Sequence, residues 1–497
     1  MTKKRTHSRT DEAYAPLVSK AAGAGRIEDL LWPYLDRVVE SWAVPGLAIA
    51  VVHDGDQLIT RGYGSRDVAT GAPVTPDTLF HLASVSKTFV AAAAMRLAED
   101  GLLDLDDPIT AYLPDLSWTD PRAQAITVAH LLSHQSGIGD VAGDYGWHEP
   151  ELDDGALGRF AAHVATWPLK HDPGTTFSYS NAAYELLGHL IATVGGTTFE
   201  AHLKDRVLDP AGMSTSTFLR AEVPADRGAL PHLGLPLRVV EGSYPYTRRH
   251  SPSSTLHSSA AELGTWIMTN LAGGTGVLSP ASHQLMWEPV AETDWGGMNA
   301  QVSLGWFWGP HGAHRVVNHS GDDPGFLSSL AIVPELGAGV AVLANSNTTP
   351  IFSITKAALD VLYGQDPPDP PTPPVTVPLA PVLGERGVQA AADLYHRLAG
   401  EEPQRFDLGP DGFEEAAWGV IEMHRTDLVW PLLRLWGEVH PDSSGLALMT
   451  GWAHANEGRR DLAIEHIQRA LELDPDNDDA ADLLGHYTTG VGAEASS

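Results

Sequence analysis

Ser84 and Lys87 stand three positions apart in His81-Leu82-Ala83-Ser84-Val85-Ser86-Lys87-Thr88-Phe89, a spacing that puts two side chains on one face of a helix. A serine hydroxyl attacks a carbonyl only when a neighbouring base takes its proton, and a lysine held in a dry pocket loses enough charge to help. The apolar run Phe89-Val90-Ala91-Ala92-Ala93-Ala94-Met95 follows at once, which predicts the pair at the start of a buried helix. The positive end of that helix favours negative charge developing near Ser84. Spacing alone is weak, because Ser353-Ile354-Thr355-Lys356 has it too and reads as an incidental lysine on a surface helix. Order separates the two. Downstream of Ser84 come Phe177-Ser178-Tyr179-Ser180-Asn181, the one Tyr-x-Asn among twelve tyrosines, and then His319-Ser320-Gly321, whereas nothing comparable follows Ser353.

With this ordered triplet the chain resembles the penicillin-recognising serine hydrolases, specifically the branch of class C β-lactamase-like esterases and D-amino-acid peptidases. The stretches Leu131-Leu132-Ser133-His134-Gln135-Ser136-Gly137, Phe199 to Met213, Ser254-Thr255-Leu256-His257-Ser258 and His319 through Phe326 are also similar to that branch, and the likeness covers roughly residues 26 to 362. The resemblance implies an α/β (α+β) β-lactamase/transpeptidase-like fold, with an antiparallel sheet flanked by helices and a helical subdomain. It also implies roles. Ser84 attacks an acyl carbon, Tyr179 and Lys87 take and return its proton, and Asn181 hydrogen-bonds both the lysine and the substrate. His319, Ser320 and Gly321 line the opposite wall from an edge strand, Gly321 letting substrate approach the backbone. The backbone N–H groups of Ser84 and Asp322 form the oxyanion hole.

One departure bears on substrate. Penicillin-targeting members usually carry lysine where this chain has His319, which on its reference pKa is mostly neutral at pH 7, and Asp322 and Asp323 follow it directly. Such a wall suits a neutral ester, an amide or an amine-bearing substrate better than a free carboxylate. The expected activity is that of a serine hydrolase working through an acyl-enzyme on a small ester or amide, as an esterase or a peptidase/amidase. An acyltransferase or peptide cyclase would use the same residues, with an alcohol or amine replacing water. From another class, a catalytically dead scaffold would bind proteins through the C-terminal region, and the intact Ser84, Lys87, Tyr179 and Asn181 count against it.

These residues need a frame. From Ile27 to Trp42 the apolar positions Ile27, Leu30, Leu31, Tyr34, Leu35, Val38 and Val39 keep helical spacing. Gly46 to Val52 is a nearly continuous apolar run, as a strand covered on both faces should be, and Asp54-Gly55 turns it into a partner strand, Gln57 to Tyr63. A matching pair, Leu327 to Val333 and Gly339 to Ala344, is joined through Pro334-Glu335-Leu336-Gly337. One antiparallel sheet built from both ends of the catalytic region is therefore expected, flanked by helices 27–42 and 351–363. A mostly helical insertion, about residues 100 to 280, lies beside it, with the active site at the junction. The run Asp366-Pro367-Pro368-Asp369-Pro370-Pro371-Thr372-Pro373-Pro374 favours an extended linker. Beyond it, Ser444 to Asn477 has the period of a tetratricopeptide repeat, and Pro441 stands 34 residues before Pro475. The expected division is a disordered tail at 1–25, a catalytic domain at 26–365, a linker at 366–381, a tetratricopeptide-like domain at 382–488 and a tail at 489–497. The C-terminal domain reads as a module for self-association or a protein partner, its competing role being a lid across the catalytic mouth.

Composition narrows the rest. Sixty-three acidic against 31 basic residues give a net charge of −32, which argues against nucleic acid or anionic membrane as partners. There are no cysteines, so thiol catalysis and disulfides are excluded. Residues 1 to 25 begin with Lys3, Lys4 and Arg5 but show no apolar core, and no apolar run approaches the roughly 20 residues that cross a bilayer. A cytoplasmic protein is expected, with a small-molecule ester or amide substrate and no cofactor. His130 and His134 have a zinc-compatible spacing but lie in the Leu-Leu-Ser-His stretch and lack a His-Glu-x-x-His motif. Trp147, Trp306 and Trp308 suit either pocket walls or core. Ser84→Ala should abolish both fluorophosphonate labelling and turnover while Ser353→Ala leaves them unchanged, as read by intact mass; full labelling of Ser84→Ala would remove it as nucleophile.

Overall fold

In the computed structural model residues 20–140 and 146–489 are described; of the tails expected at 1–25 and 489–497, positions 1–19 and 490–497 lie outside them. The sheet forms where the apolar runs predicted it. Strands β1 (Gly46–His53), β2 (Gln57–Asp67), β3 (Phe307–His311), β4 (His314–Asp323), β5 (Phe326–Val333) and β6 (Ala338–Ala344) are its long members. They stand in the order β2-β1-β6-β5-β4-β3, extended at the two edges by two-residue strands to nine in all. Every pairing is antiparallel, with Leu47 opposite Ala344 and Ala50 opposite Ala341, so the two chain ends of the catalytic region meet at the sheet centre. Asp54 and Gly55 both take positive φ, 53° and 79°, in the expected turn.

Alternation along β1 sorts the two cores. Leu47, Ile49 and Val51 pack with Tyr34, Val38, Ile351 and Ile354, which come from α1 (Trp32–Ser41) and a helix at the far end, Ile351–Leu362. Ala48, Ala50 and Val52 face the other way, into the cluster with Phe89, Trp266 and Ile267. All eight β1 residues are buried because both faces are covered. Helical structure starts earlier than Ile27: Lys20–Arg26 and the π-turn Ile27–Leu31 lead directly into α1.

On the second face lie α2 (Ser86–Glu99), α3 (Asn181–Gly195) and α4 (Ala260–Leu271), while the Ile351–Leu362 helix, α5, belongs to the first face. Eleven of the fourteen α2 residues are buried, and its alanines are small because neighbours press closely. A Cβ on Gly305 would sit 2.4 Å from that of Ala91, and Phe89 stacks on Trp266 at 4.3 Å. Strand β4 is interior for most of its length, which differs from the edge strand expected at His319. Its pairing with β3, however, stops at Asn318, so His319 to Asp323 pair with β5 alone and are open on the side that faces α2.

The C-terminal region is all-helical: α6 (Thr376–Glu401), α7 (Asp411–Glu422), α8 (Thr426–Val439), α9 (Ser444–Asn456), α10 (Arg460–Leu473) and α11 (Asp478–Thr489). Helix α6 begins inside the stretch expected to be linker, because Pro378 falls in its first turn, where a missing N–H is tolerated. Gly387, with φ 80° and ψ −176°, breaks it. The proline run before it is tied down: Trp42 Nε1 donates to the Pro371 carbonyl at 3.0 Å and Arg26 pairs with Asp366 at 3.2 Å. Helices α6 to α11 share one apolar cluster with Trp147, Leu233 and Val240 of the catalytic region, and a Cβ on Gly419 would come within 2.9 Å of Leu233. Among the described residues no helix is long and apolar enough to cross a membrane. Leu233→Ala should cost about 2–5 kcal/mol of stability by opening a cavity at this seam, measured by equilibrium unfolding in denaturant.

Candidate active site

The chain enters the site through a strained turn. Ala83 holds φ at +46°, a region costly for a residue with a Cβ, and the one-turn 3-10 segment Ala83–Val85 then runs straight into α2. The turn is anchored from behind, with Leu82 N–H donating to the Leu256 carbonyl at 2.8 Å and Leu256 N–H to Ser86 Oγ at 3.1 Å. Ser84 is half-buried while Lys87 is fully buried.

Lys87 Nζ lies 2.9 Å from Ser84 Oγ, 2.6 Å from Asn181 Oδ1 and 3.0 Å from the Ser253 carbonyl. The Asn181 orientation is fixed because its Nδ2 donates to Asp140 Oδ2 at 2.9 Å. Two of the three partners can only accept. A neutral Lys87 amine that keeps its bonds to Asn181 and Ser253 therefore turns its lone pair toward Ser84, the one partner with a proton to give. Burial pushes the lysine pKa down to about 8, against the opposing pull of Glu185, Asp140 and Asp323.

Tyr179 is placed by His134. Ser178 N–H donates to the His134 carbonyl at 2.8 Å, Ser180 N–H to His134 Nδ1 at 3.1 Å, and the imidazole stacks on the phenol ring at 4.2 Å. Lys87 Nζ is 5.0 Å from the centre of that ring. Burial raises the Tyr179 pKa far above its ordinary value, with a hydrogen bond to Ser84 opposing the rise, so the phenol is neutral. Ser180 caps α3 by accepting from Ala183 N–H at 3.0 Å, which frees Asn181 for Lys87. Asp140 accepts from Ala182 N–H at 3.0 Å as well as from Asn181, at the helix end where a carboxylate is favoured.

Across from Ser84, β4 passes so near that a Cβ on Gly321 would lie 2.7 Å from the Ser84 nitrogen and 2.4 Å from the Leu82 oxygen. No side chain fits there. His319 is buried, donates from Nδ1 to the neighbouring Ser320 carbonyl at 2.7 Å, and has its pKa lowered to about 3 by burial and by Lys87. Ser320 is half-buried. Asp322 and Asp323 diverge, as successive strand residues must. Asp322 faces open space and accepts from Asn347 Nδ2 at 2.6 Å, whereas Asp323 turns inward to His81 Nε2 at 2.7 Å. Of the two acids expected on the substrate wall, Asp323 therefore points away from the cavity that Asp322 lines.

Tyr179 and Asp322 open onto a cavity of about 940 Å³ whose far side is made by α7, α9 and α11. Its aromatic walls are Phe177, Trp295, Trp418 and Trp452. Trp147 and Trp306 are core instead, and Trp308 lies under Arg315 at 4.8 Å. His130 serves a capping box with Thr127 and His134 serves the Tyr179 loop, so neither histidine is arranged as a zinc ligand. Asp140, His134 and Ser253 were not expected at the site. The first two lie within or just after the Leu-Leu-Ser-His stretch, a signal that was present, while Ser253 acts through its carbonyl, which any residue type would supply.

An antiparallel sheet with a helical insertion, carrying a buried lysine against a serine one helical turn earlier, defines a serine hydrolase-like protein of β-lactamase/transpeptidase-like fold. The chain belongs to the Beta-lactamase family, whose model matches residues 34–365. It is 32% identical over 320 residues to penicillin-binding protein 4 of Amycolatopsis lactamdurans, covering 62% of this chain and 83% of that one. It is 27% identical to protein flp of Staphylococcus aureus, covering 61% of this chain and 60% of that protein's length. Among solved structures, the octameric penicillin-binding protein homologue from Pyrococcus abyssi superposes with a TM-score of 0.60 at 28% identity, over 72% of this chain and 81% of that one.

If neutral Lys87 is the base, labelling of Ser84 by a fluorophosphonate should rise about tenfold per pH unit below the lysine pKa and level off above it, with a midpoint near 8. Glu185→Gln removes a charge that favours the ammonium and should move the midpoint to lower pH; a flat profile between pH 6 and 9 would remove Lys87 from that role.

Proposed function

We propose that the chain is a serine hydrolase that forms an acyl-enzyme at Ser84 from a small ester or amide and releases the acyl group to water. The observation that carries this reading is Lys87 Nζ at 2.9 Å from Ser84 Oγ with its other two partners acceptors only. Ser84 Oγ attacks the carbonyl carbon as its proton passes to Lys87. The oxyanion meets the backbone N–H groups of Ser84 and Asp322, where one such donor is typically worth about 3 kcal/mol. The approach of Gly321 to the Ser84 nitrogen supports that pairing. As the C–O or C–N bond breaks, Tyr179, neutral and able to donate, returns a proton to the leaving group and is resupplied by Lys87. Water then attacks the acyl carbon, gives its proton to the same pair, and Ser84 leaves with a proton restored.

The wall opposite Ser84 favours substrates without a free carboxylate. His319 is neutral, Asp322 faces the cavity, and Lys170 is the one lysine or arginine among the lining residues. Acyl transfer to an alcohol or amine is the second reading, and the size of the cavity walled by α7, α9 and α11, about 940 Å³, supports it by giving room for a second substrate. For the C-terminal region the reading is a tetratricopeptide-like stack. Helix pairs α7/α8 and α9/α10 have the lengths of that repeat, and Gly451 of α9 sits against Ile467 of α10, where a Cβ would come within 2.7 Å.

Short neutral esters should be turned over at least about tenfold faster than cephalosporins, a difference of about 1.4 kcal/mol in the barrier. His319→Lys with Asp322→Asn should narrow the gap. Equal kcat/KM for a cephalosporin and a simple ester in the unaltered protein would overturn the substrate reading, and no acyl adduct on any ester or fluorophosphonate would overturn the hydrolase.

A further inference from the structure

The cavity onto which Tyr179 and Asp322 open has an unusual wall. Tyr179 and Asp322 line it on the catalytic side and helices α7, α9 and α11 on the other. From those helices Glu414, Glu415, Glu422, Asp478, Asp479 and Asp482 line it. With Asp140, Asp294 and Asp322 that makes nine carboxylates against one lysine, Lys170, which is already paired with Asp482 at 3.6 Å. Excess negative charge on an outer surface is solvated, but here it lines the cavity onto which Tyr179 and Asp322 open.

The carboxylates also act on one another. Glu415 pushes up the pKa of Asp322 across the cavity, after burial as the larger cause, and is itself raised to about 7 by burial and by Glu414 and Asp411. Glu414 is raised by burial and then by Asp411 and Asp479. Like charges held together around one cavity call for a counter-charge.

Two further observations indicate its kind. Among the described residues no group of three or more histidines, aspartates or glutamates could hold a metal ion, so the field is spread along a wall and not focused on one point. The same wall carries aromatic faces: Trp418 and Trp452 from the C-terminal helices, and Trp295, which is 49% exposed and lies 5.4 Å from the Tyr179 ring. Trp452 is 8% exposed and its indole N–H meets no acceptor among the described residues. Carboxylates interleaved with indoles recognise an organic ammonium or guanidinium through charge and cation–π attraction together.

We infer that the C-terminal helices form an acidic, aromatic outer subsite, centred on Glu414, Glu415 and Trp418, that selects substrates carrying an organic cation beyond the scissile carbonyl. This rests on the hydrolase reading and names its substrate class. The catalytic chemistry then belongs to the family fold and the selection to helices outside the matched residues 34–365.

The test uses the full chain and matched sets of chromogenic esters bearing a terminal primary ammonium, an uncharged methyl or a carboxylate. One set carries the group on the acyl side and the other on the alcohol side. In at least one set the ammonium member should exceed the methyl member at least tenfold in kcat/KM, the carboxylate member should fall below both, and the preference should shrink as salt rises. Glu414→Gln with Glu415→Gln should bring the ammonium-to-methyl ratio toward one. Glu438→Gln with Glu465→Gln, which changes net charge equally at exposed positions away from the cavity, should leave that ratio as it was. In a readout that needs no turnover, hexylammonium should protect Ser84 from fluorophosphonate in the unaltered protein and much less in Glu414→Gln/Glu415→Gln. Equal rates for ammonium and methyl members in both sets, or a preference that survives the double substitution, overturns the subsite while leaving the hydrolase intact. Absence of any adduct at Ser84 overturns the hydrolase, and the subsite falls with it.

Discussion

The site depends on keeping one amine in a place with no water. Burying an unpaired ammonium costs several kcal/mol, and Lys87 is held there by three oxygen partners and by the more distant charges of Glu185, Asp140 and Asp323. The balance matters more than either side of it. With more carboxylate nearby the lysine would stay charged and could not accept a proton; with fewer acceptors it would be neutral but unfixed. Much of the surrounding structure serves that balance. Asp140 orients Asn181, which orients Lys87. Ser253 offers its carbonyl because the short helix Ser251–Ser254 packs beside α2 and α3. His134 fixes the Tyr179 phenol beside Lys87 by bonding the backbone on either side of it.

Much of the fold was legible because buried strands announce themselves. The run at Gly46 is apolar at nearly every position, that at Leu327 at all but Ser328 and Ser329, and the Asp54-Gly55 turn between β1 and β2 has the residues that positive φ requires. Ser84 and Lys87 were legible because the helix brings them together locally. Asp140 and Asn181 meet across 41 residues, and a contact of that kind leaves no periodic trace. The opposite fates of Asp322 and Asp323 were readable in principle, since a strand sends neighbours to opposite sides. Trp147 and Trp306 could not be told from wall tryptophans, because an indole suits either setting. The start of α6 at Thr376 was hidden by reading all prolines as breakers, when those of a first turn are not.

The candidate site and the outer wall of the cavity are built by different parts of the chain. Ser84, Lys87 and the open end of β4 all come from residues 84 to 323, whereas the outer wall comes from residues 414 to 483. The two parts are joined by packing and not by the proline run alone, since Leu233 and Val240 sit in the same apolar cluster as α6 to α11. A shift of those helices would change the shape of the entrance while leaving Lys87 and Ser84 as they are.

That shared cluster also has a consequence in time. Trp147, Leu233 and Val240 leave the ribosome long before the helices that cover them, and at ordinary elongation rates of about 5–20 residues per second the delay is on the order of ten seconds or more. For that interval the newly made catalytic region presents a bare apolar seam. Helices α6 to α11 therefore act toward the catalytic region made before them as a built-in chaperone does toward its client, sealing a surface whose exposure invites aggregation.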